Sequence, residues 1–254
     1  MLVADPHNPR AVAMAEQLSA LLPADLDLPG DFRIVLGGDG FLLRTVADQG
    51  LDKTYLGLNA GHLGFLLNDV VIGPEVVQTL TQRSWRVHRH RLLEAQLELA
   101  DGSTKRRLAI NDLYLERSTG QAARLSLSID GHPVVDNLVS DGLVFATALG
   151  STAYAYSAGG EPFHPALEIL QVTPICPHKP RLTPFALPPS VRASVSVIHH
   201  QWRPVRAVAD GRGVENVVRV EVGISDTEAV RLAYLPTHDF TRQMLRKIVQ
   251  PSGH

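Results

Sequence analysis

The apolar residues of this 254-residue chain change their spacing part-way along it, and that change restricts the folds it can adopt. In the first seventy residues, short apolar runs alternate with stretches of helical spacing. Asn8 and Pro9 supply a helix cap and a first-turn proline, and Val12, Met14, Ala15, Leu18 and Leu22 then recur at roughly helical intervals. Residues 32–36 (FRIVL) read as a buried strand, broken by Gly37-Gly38-Asp39-Gly40 and followed by the helix-like FLLRTVADQ. Residues 55–58 (YLGL) read as another strand. Strands alternating with helices imply a parallel sheet with crossover connections, so the N-terminal part is expected to be α/β.

Beyond a short helix expected from residue 74 to about residue 82, the spacing becomes two. Leu97 and Leu99 alternate with Gln96 and Glu98 before Asp101-Gly102, a strong hairpin signal. The device recurs where Leu125, Leu127 and Ile129 share a face and Asp130-Gly131 turns the chain. Residues from about 85 to 235 therefore read as mostly β. The proline-dense stretch 173–190 lacks ladder donors and is expected as an ordered surface loop or edge. Phe240, Met244, Leu245 and Ile248 form an apolar stripe of helical spacing after Pro236-Thr237. The N-terminal sheet has too few residues to cover both its faces, so this last helix is expected to return to it. The expected division is a discontinuous α/β nucleotide-binding domain of residues 1–70 and 237–254, and a larger, mainly β domain of residues 71–236.

Composition removes several functions. With 24 Lys and Arg against 26 Asp and Glu, no global positive field draws the chain to nucleic acid or an anionic membrane. A single cysteine, Cys176, cannot form a disulfide framework, and the charged, proline-containing start does not resemble a signal peptide. Residues 143–160 carry no charge, but their hydroxyls and three glycines suit a protein interior better than lipid. A cytoplasmic location is expected.

The motifs are individually ambiguous. In GGDG, residues 37–40, glycines after a buried strand let amides approach a phosphate, and the following helix adds its dipole. A carboxylate there suits a group that orients or deprotonates an attacking hydroxyl. The same residues serve equally as a turn in which Asp39 caps a helix. Neither G-x-x-x-x-G-K-[ST] nor G-x-G-x-x-G is present, and no G-x-S-x-G or H-E-x-x-H occurs, which argues against P-loop, dehydrogenase, serine-hydrolase and zincin readings. Asn111-Asp112, after an apolar strand, offers the donors and acceptors a ribose diol or carboxamide needs, but also reads as ordinary turn chemistry. GSTAYAYSAGG, residues 150–160, combines hydroxyls, two tyrosines and glycines, fitting either a ligand pocket or a tightly packed helix start. His88 and His90 share a strand face, but the arginines around them favour a solvated or subunit-contacting surface over a metal site.

Taken in order, GGDG at 37, LGLNAGHLGFL at 56, IND at 110, SDGL at 140, GSTAYAYSAGG at 150 and TPICPH at 173 resemble the NAD kinase family across nearly the whole chain. The resemblance implies an α/β domain plus a larger all-β domain. It also implies transfer of the ATP γ-phosphoryl group to the 2′-hydroxyl of the adenosine ribose of NAD, with a divalent cation, Mg²⁺. By position, Asp39 is the implied catalytic carboxylate, with Gly37, Gly38 and Gly40 at phosphate and Arg44 near substrate phosphate. Asn111, Asp112 and Asp141 are implied to hold ribose and nicotinamide groups, while Thr152, Tyr154 and Ser157 line the dinucleotide pocket. No resident metal ligand is assigned. A homodimer or homotetramer is implied, with small nucleotides as the partners and no nucleic acid or membrane.

Five positions depart from the family pattern. Phe41 follows GGDG where a small hydroxyl is usual, and Asn-Asp replaces Asn-Glu at 111–112. Thr147-Ala148-Leu149 replaces Thr-Pro-Thr, and Glu161 stands where proline is common. None removes the implied base. Two alternatives stand beside this reading: a diacylglycerol or sphingosine-type lipid kinase, similar in GGDG, and a catalytically silent dinucleotide-binding module.

Overall fold

In a computed structural model of the chain, the structure describes residues 1–61 and 64–249. His62 and Leu63 of the LGLNAGHLGFL motif, and residues 250–254 of the expected α/β domain, lie outside the described residues. In chain order the elements begin with β1 (Leu2–Ala4), α1 (Pro9–Leu21), β2 (Phe32–Gly37), α2 (Asp39–Gln49), β3 (Thr54–Asn59) and α3 (Pro74–Thr81). There follow β4 (Arg86–Leu99), β5 (Thr104–Ala109), β6 (Asp112–Arg117), β7 (Ala123–Ile129), β8 (His132–Ser140) and β9 (Gly142–Ala146). A 3₁₀ turn at Gly150–Thr152 leads into the single helical turn α4 (Tyr154–Ser157). Then come β10 (Leu170–Ile175), β11 (Phe185–Leu187), β12 (Arg192–Val197), β13 (Val205–Ala209), β14 (Arg212–Tyr234) and α5 (Phe240–Ile248).

The chain divides into two compact units. One combines Met1–His90 with Ala229–Arg246, and Arg91–Glu228 makes up most of the other. In the first, β1, β2 and β3 are parallel neighbours, and the end of β14 joins β3 in parallel through Arg231↔Thr54 to Ala233↔Leu56. Asn8 caps α1 by accepting the amides of Arg10 and Ala11. Ala11, Met14 and Leu18 of that helix pack on Phe32, Ile34, Leu36, Leu56 and Leu58. Residues 71–90 and 229–236 group with this α/β unit because Ile72, Val76, Leu80 and Leu235 complete its core.

The C-terminal helix forms, but not all of its apolar stripe is covered. Phe240 and Met244 are half-buried, Leu245 and Ile248 are exposed, and the buried residue is Gln243, whose side chain donates to the Leu67 carbonyl at 3.1 Å. Arg246 pairs with Asp69 at 3.1 Å.

The second unit is antiparallel. β6 lies between β9 and β13, β9 pairs β10, and β12 lies between β14 and β7. Both hairpin readings hold: β4 pairs β5 around Asp101-Gly102, and β7 pairs β8 around Asp130-Gly131. Leu93, Leu97, Leu115, Leu125, Phe145, Val195 and Val222 contribute to its core. The proline-dense stretch combines loop with strand at the sheet edge, as the loop-or-edge expectation allowed. Thr173, Pro174 and Ile175 belong to β10, where Pro174 sits opposite Leu143 of β9. The proline is tolerated because β11 pairs only with Leu170–Val172, so that among the described residues no second strand partner is deprived of a donor.

Candidate functional site

In the α/β unit, β2 ends at Gly37, Gly38 is the N-cap, and Asp39 is the first residue of α2. A carboxylate in the first helical turn lies where unpaired amides and the helix dipole favour negative charge. The Asp39 side chain does more than cap. Its Oδ2 accepts the Phe65 amide at 2.9 Å and its Oδ1 the Leu66 amide at 3.1 Å. Burial raises the Asp39 pKa, opposed by these two amides. One hydrogen bond on each oxygen leaves lone pairs free on both. The carboxylate is therefore fixed in direction and still able to accept a proton.

Phe41 explains itself here. A side chain at Gly37 would lie 2.8 Å from the Phe41 ring, so the ring closes over the loop where a small hydroxyl is usual. The exposed Arg44, one turn on, has its guanidinium carbon 5.9 Å from the same ring centroid. Tyr234 is buried in this unit, and its phenol pKa is pushed well up by that burial and, secondarily, by the charge of Asp39.

The structure corrects the reading of the histidine pair. His88 is exposed but lies with its ring centroid 5.5 Å from both Tyr234 and Phe240, and His90 is half-buried, 6.3 Å and 6.5 Å from the same rings. Burial, with His88 adding to it, pushes the His90 pKa down to about 4.

The β unit assembles the second group. Asn111 and Asp112, at the start of β6, are both buried, and Asn111 Oδ1 has no protein hydrogen-bond partner. The Asp112 carboxylate is hydrogen-bonded by the Tyr154 amide, which ties β6 to the GSTAY segment. Burial first, and Asp210 second, push the Asp112 pKa up to about 7. Thr147 organises the approach: its hydroxyl donates to the Ile110 carbonyl at 2.8 Å and accepts the Gly150 amide at 3.0 Å. Gly150 must be glycine, because a Cβ there would sit 2.0 Å from the Asn111 carbonyl oxygen.

Tyr154 packs edge-on against Tyr114 with centroids 4.8 Å apart. It lines a cavity of about 310 Å³ together with Glu116, Arg117, Asp141 and Ile175. Asp141 is held there by Arg117, Nε to Oδ1 at 2.6 Å. Thr152 is buried, with its hydroxyl 3.5 Å from the Leu149 carbonyl, and Ser157 is exposed at the end of α4. Thus Asn111, Asp112 and Tyr154 are brought together, and Tyr154 shares a cavity with Asp141. Sequence reasoning missed Thr147, the Phe65 and Leu66 amides, and Asp210. The last follows β13 as one more Asp-Gly turn, with no local signal to separate it from 101–102 or 130–131.

Among the described residues, no group of three or more His, Cys, Asp or Glu side chains is arranged to hold a metal ion.

Comparison with known proteins covers almost the whole chain. The family described as the ATP-NAD kinase C-terminal domain matches residues 110–232. An NAD kinase of Cereibacter sphaeroides (strain ATCC 17025 / ATH 2.4.3) is 37% identical over 216 residues, 84% of each chain. An NAD kinase of Rhizobium meliloti (strain 1021) is 34% identical over 91% of this chain and 90% of its own. The fold is similar to that of yeast NADH kinase solved with NADH, with a TM-score of 0.81 at 22% identity over 100% of this chain and 88% of that one. It is also similar to an Archaeoglobus fulgidus NAD kinase solved with ATP, with a TM-score of 0.75 at 23% identity over 97% of both chains.

Proposed function

This chain belongs to the NAD kinase family, and from that premise we propose how its residues carry out transfer of the ATP γ-phosphoryl group to the 2′-hydroxyl of the adenosine ribose of NAD. The relatives lend no support to a lipid kinase or a silent dinucleotide module. Asp39 is the general base. It takes the 2′-hydroxyl proton as that oxygen bonds to the γ-phosphorus and the bond to the β,γ-bridging oxygen breaks, releasing ADP. The observation that carries this role is a partly buried carboxylate fixed by two amides, with a pKa that burial raises rather than lowers. A positioned base contributes ~10²–10⁴-fold, and alignment with charge neutralisation supplies much of the rest because the transition state is loose.

The amides around Gly37, Gly38 and Gly40 suit phosphate oxygens, and Arg44 presents an exposed guanidinium one turn along the same helix. The divalent cation, Mg²⁺, enters as part of the nucleotide substrate. In the β unit, Asn111 Oδ1 is a buried acceptor that a ligand N–H or O–H can satisfy. Asp112, Asp141, Thr152, Tyr154 and Ser157 complete the dinucleotide-binding set. The two units are read as a nucleotide-binding α/β domain made of two chain segments and a β domain that binds the dinucleotide. A cytoplasmic homodimer or homotetramer is read from the family resemblance and the single cysteine, and light scattering tests the assembly.

Incubation with NAD, ATP and Mg²⁺ is expected to yield NADP. Asp39→Asn is expected to lower kcat by ~10²–10⁴-fold while leaving the KM for NAD within about three-fold. Equal turnover by variant and parent removes Asp39 from the mechanism.

A further inference from the structure

Asp210 sits in the turn between β13 and β14, where it and Gly211 both have positive φ, 44° and 81°. A hairpin carboxylate ordinarily faces water. This one turns inward: Oδ2 accepts the Ile110 amide at 2.6 Å, and Oδ1 accepts the amides of Asn111 at 3.0 Å and Asp112 at 3.3 Å. The Asp210 amide donates back to the Asp112 carbonyl at 3.1 Å. Three consecutive amides converging on one carboxylate form an anion nest, with a side chain of the protein as the anion.

The other side of the same segment is fixed as well. The Thr147 hydroxyl and amide bond the carbonyls of Ile110 and Asn111, and Gly150 lies hard against the Asn111 backbone. Backbone held from both sides sets the directions in which the Asn111 carboxamide and Asp112 carboxylate leave the chain. We propose that Asp210 is a positioning residue for the dinucleotide: its carboxylate clamps the 110–112 backbone so that Asn111 and Asp112 meet NAD in a fixed geometry. This rests on the reading of Asn111 and Asp112 as dinucleotide ligands. Asp210 acts through the 110–112 backbone of the β unit, so its effect is expected on NAD and not on MgATP.

A second consequence is electrostatic. Asp112 is faced by Asp210 from the β13–β14 turn, by Tyr154 from α4 and by Tyr114 from its own strand, while Arg212 faces Asp210. Burial makes the larger contribution to raising the Asp112 pKa, and the neighbouring carboxylate adds to it. Burial raises the Asp210 pKa as well, against the three amides and Arg212, so over the pH range in which Asp210 is ionised, removing its charge favours ionised Asp112 at lower pH.

The test uses the full chain, varying NAD and MgATP separately across pH and comparing the parent with Asp210→Asn, Asp210→Glu and Asp112→Asn, with folding followed by circular dichroism. For Asp210→Asn, the KM for NAD is expected to rise tenfold or more at the alkaline plateau, with the KM for MgATP within two-fold. The inflection of kcat/KM for NAD is expected to move to lower pH. Asp210→Glu keeps the charge but displaces it, so its NAD KM is expected to rise while the inflection stays in place.

If Asp112→Asn raises the NAD KM but both folded Asp210 variants leave it unchanged, the positioning role is overturned and the ligand reading stands. If Asp112→Asn also leaves it unchanged, both fall. Equal rises in the two KM values, or failure of both Asp210 variants to fold, show a scaffold role only and overturn the inference.

Discussion

Gly150 and Asp112 show how narrowly the proposed dinucleotide side is built. A methyl group on Gly150 would enter the Asn111 carbonyl, a backbone atom that cannot swing aside, so the 147–152 segment must shift to admit it. Gly150→Ala is expected to cost ~1–3 kcal/mol in urea denaturation and to raise the KM for NAD. An unchanged unfolding midpoint and KM would show that the close packing has no energetic weight. Asp112 carries a pH signature. Its carboxyl, ordinarily near 3.8, is raised to about 7 in the fold. Between those values the native chain keeps a proton that the unfolded chain has released, so stability is full below the window and declines as pH rises through it. Asp112→Asn removes the group that must ionise. The variant is expected to gain stability over the parent by an amount larger at pH 8 than at pH 5, on the order of 2–4 kcal/mol. A gain that is the same at both pH values would contradict the raised pKa.

Among the elements, the loop carrying Asn68 joins segments distant in sequence. Asn68 is buried, its amide nitrogen donating to the carbonyls of Gly57 at 2.8 Å and Ala233 at 3.2 Å. Its Oδ1 accepts the Leu235 amide at 2.8 Å. One side chain thereby links β3 to the end of β14, at and just beyond their last paired residues, Leu56 and Ala233. Truncation leaves buried donors and acceptors unpaired, so Asn68→Ala is expected to destabilise the protein by ~2–4 kcal/mol. A variant as stable as the parent in guanidinium titration would refute that bridge. Most elements were legible in the chain itself: Asn8-Pro9, the GGDG break and the Asp-Gly turns each mark a boundary that forms. The termini of β10 and the burial of α5 were not. Proline tolerance at 174 depends on which strand lies alongside, and the choice of Gln243 over Leu245 as the buried residue depends on the position of the Leu67 carbonyl.

At the scale of the molecule, near-balanced charge and a substrate set of small nucleotides predict indifference to lipid. No described helix is long and apolar enough to cross a membrane, and no net positive field concentrates the chain at an anionic surface. NADP formation is expected to stay within two-fold when phosphatidylserine vesicles are added, with the protein remaining in the supernatant on sedimentation. Co-sedimentation would refute this. The sequence alone determined the change from α/β to β architecture, the turns, and the order of the motifs to which the proposed chemistry is assigned, because apolar period and backbone preference act over a few neighbouring residues. Only the tertiary structure decided which polar groups lose water and what they meet. Asp210 and Ile110 are 100 positions apart in sequence, yet form a 2.6 Å hydrogen bond. His90 turns from an expected surface face towards Tyr234 and Phe240. Desolvation and hydrogen-bond direction are set by distant segments that folding brings together, and no local pattern encodes them.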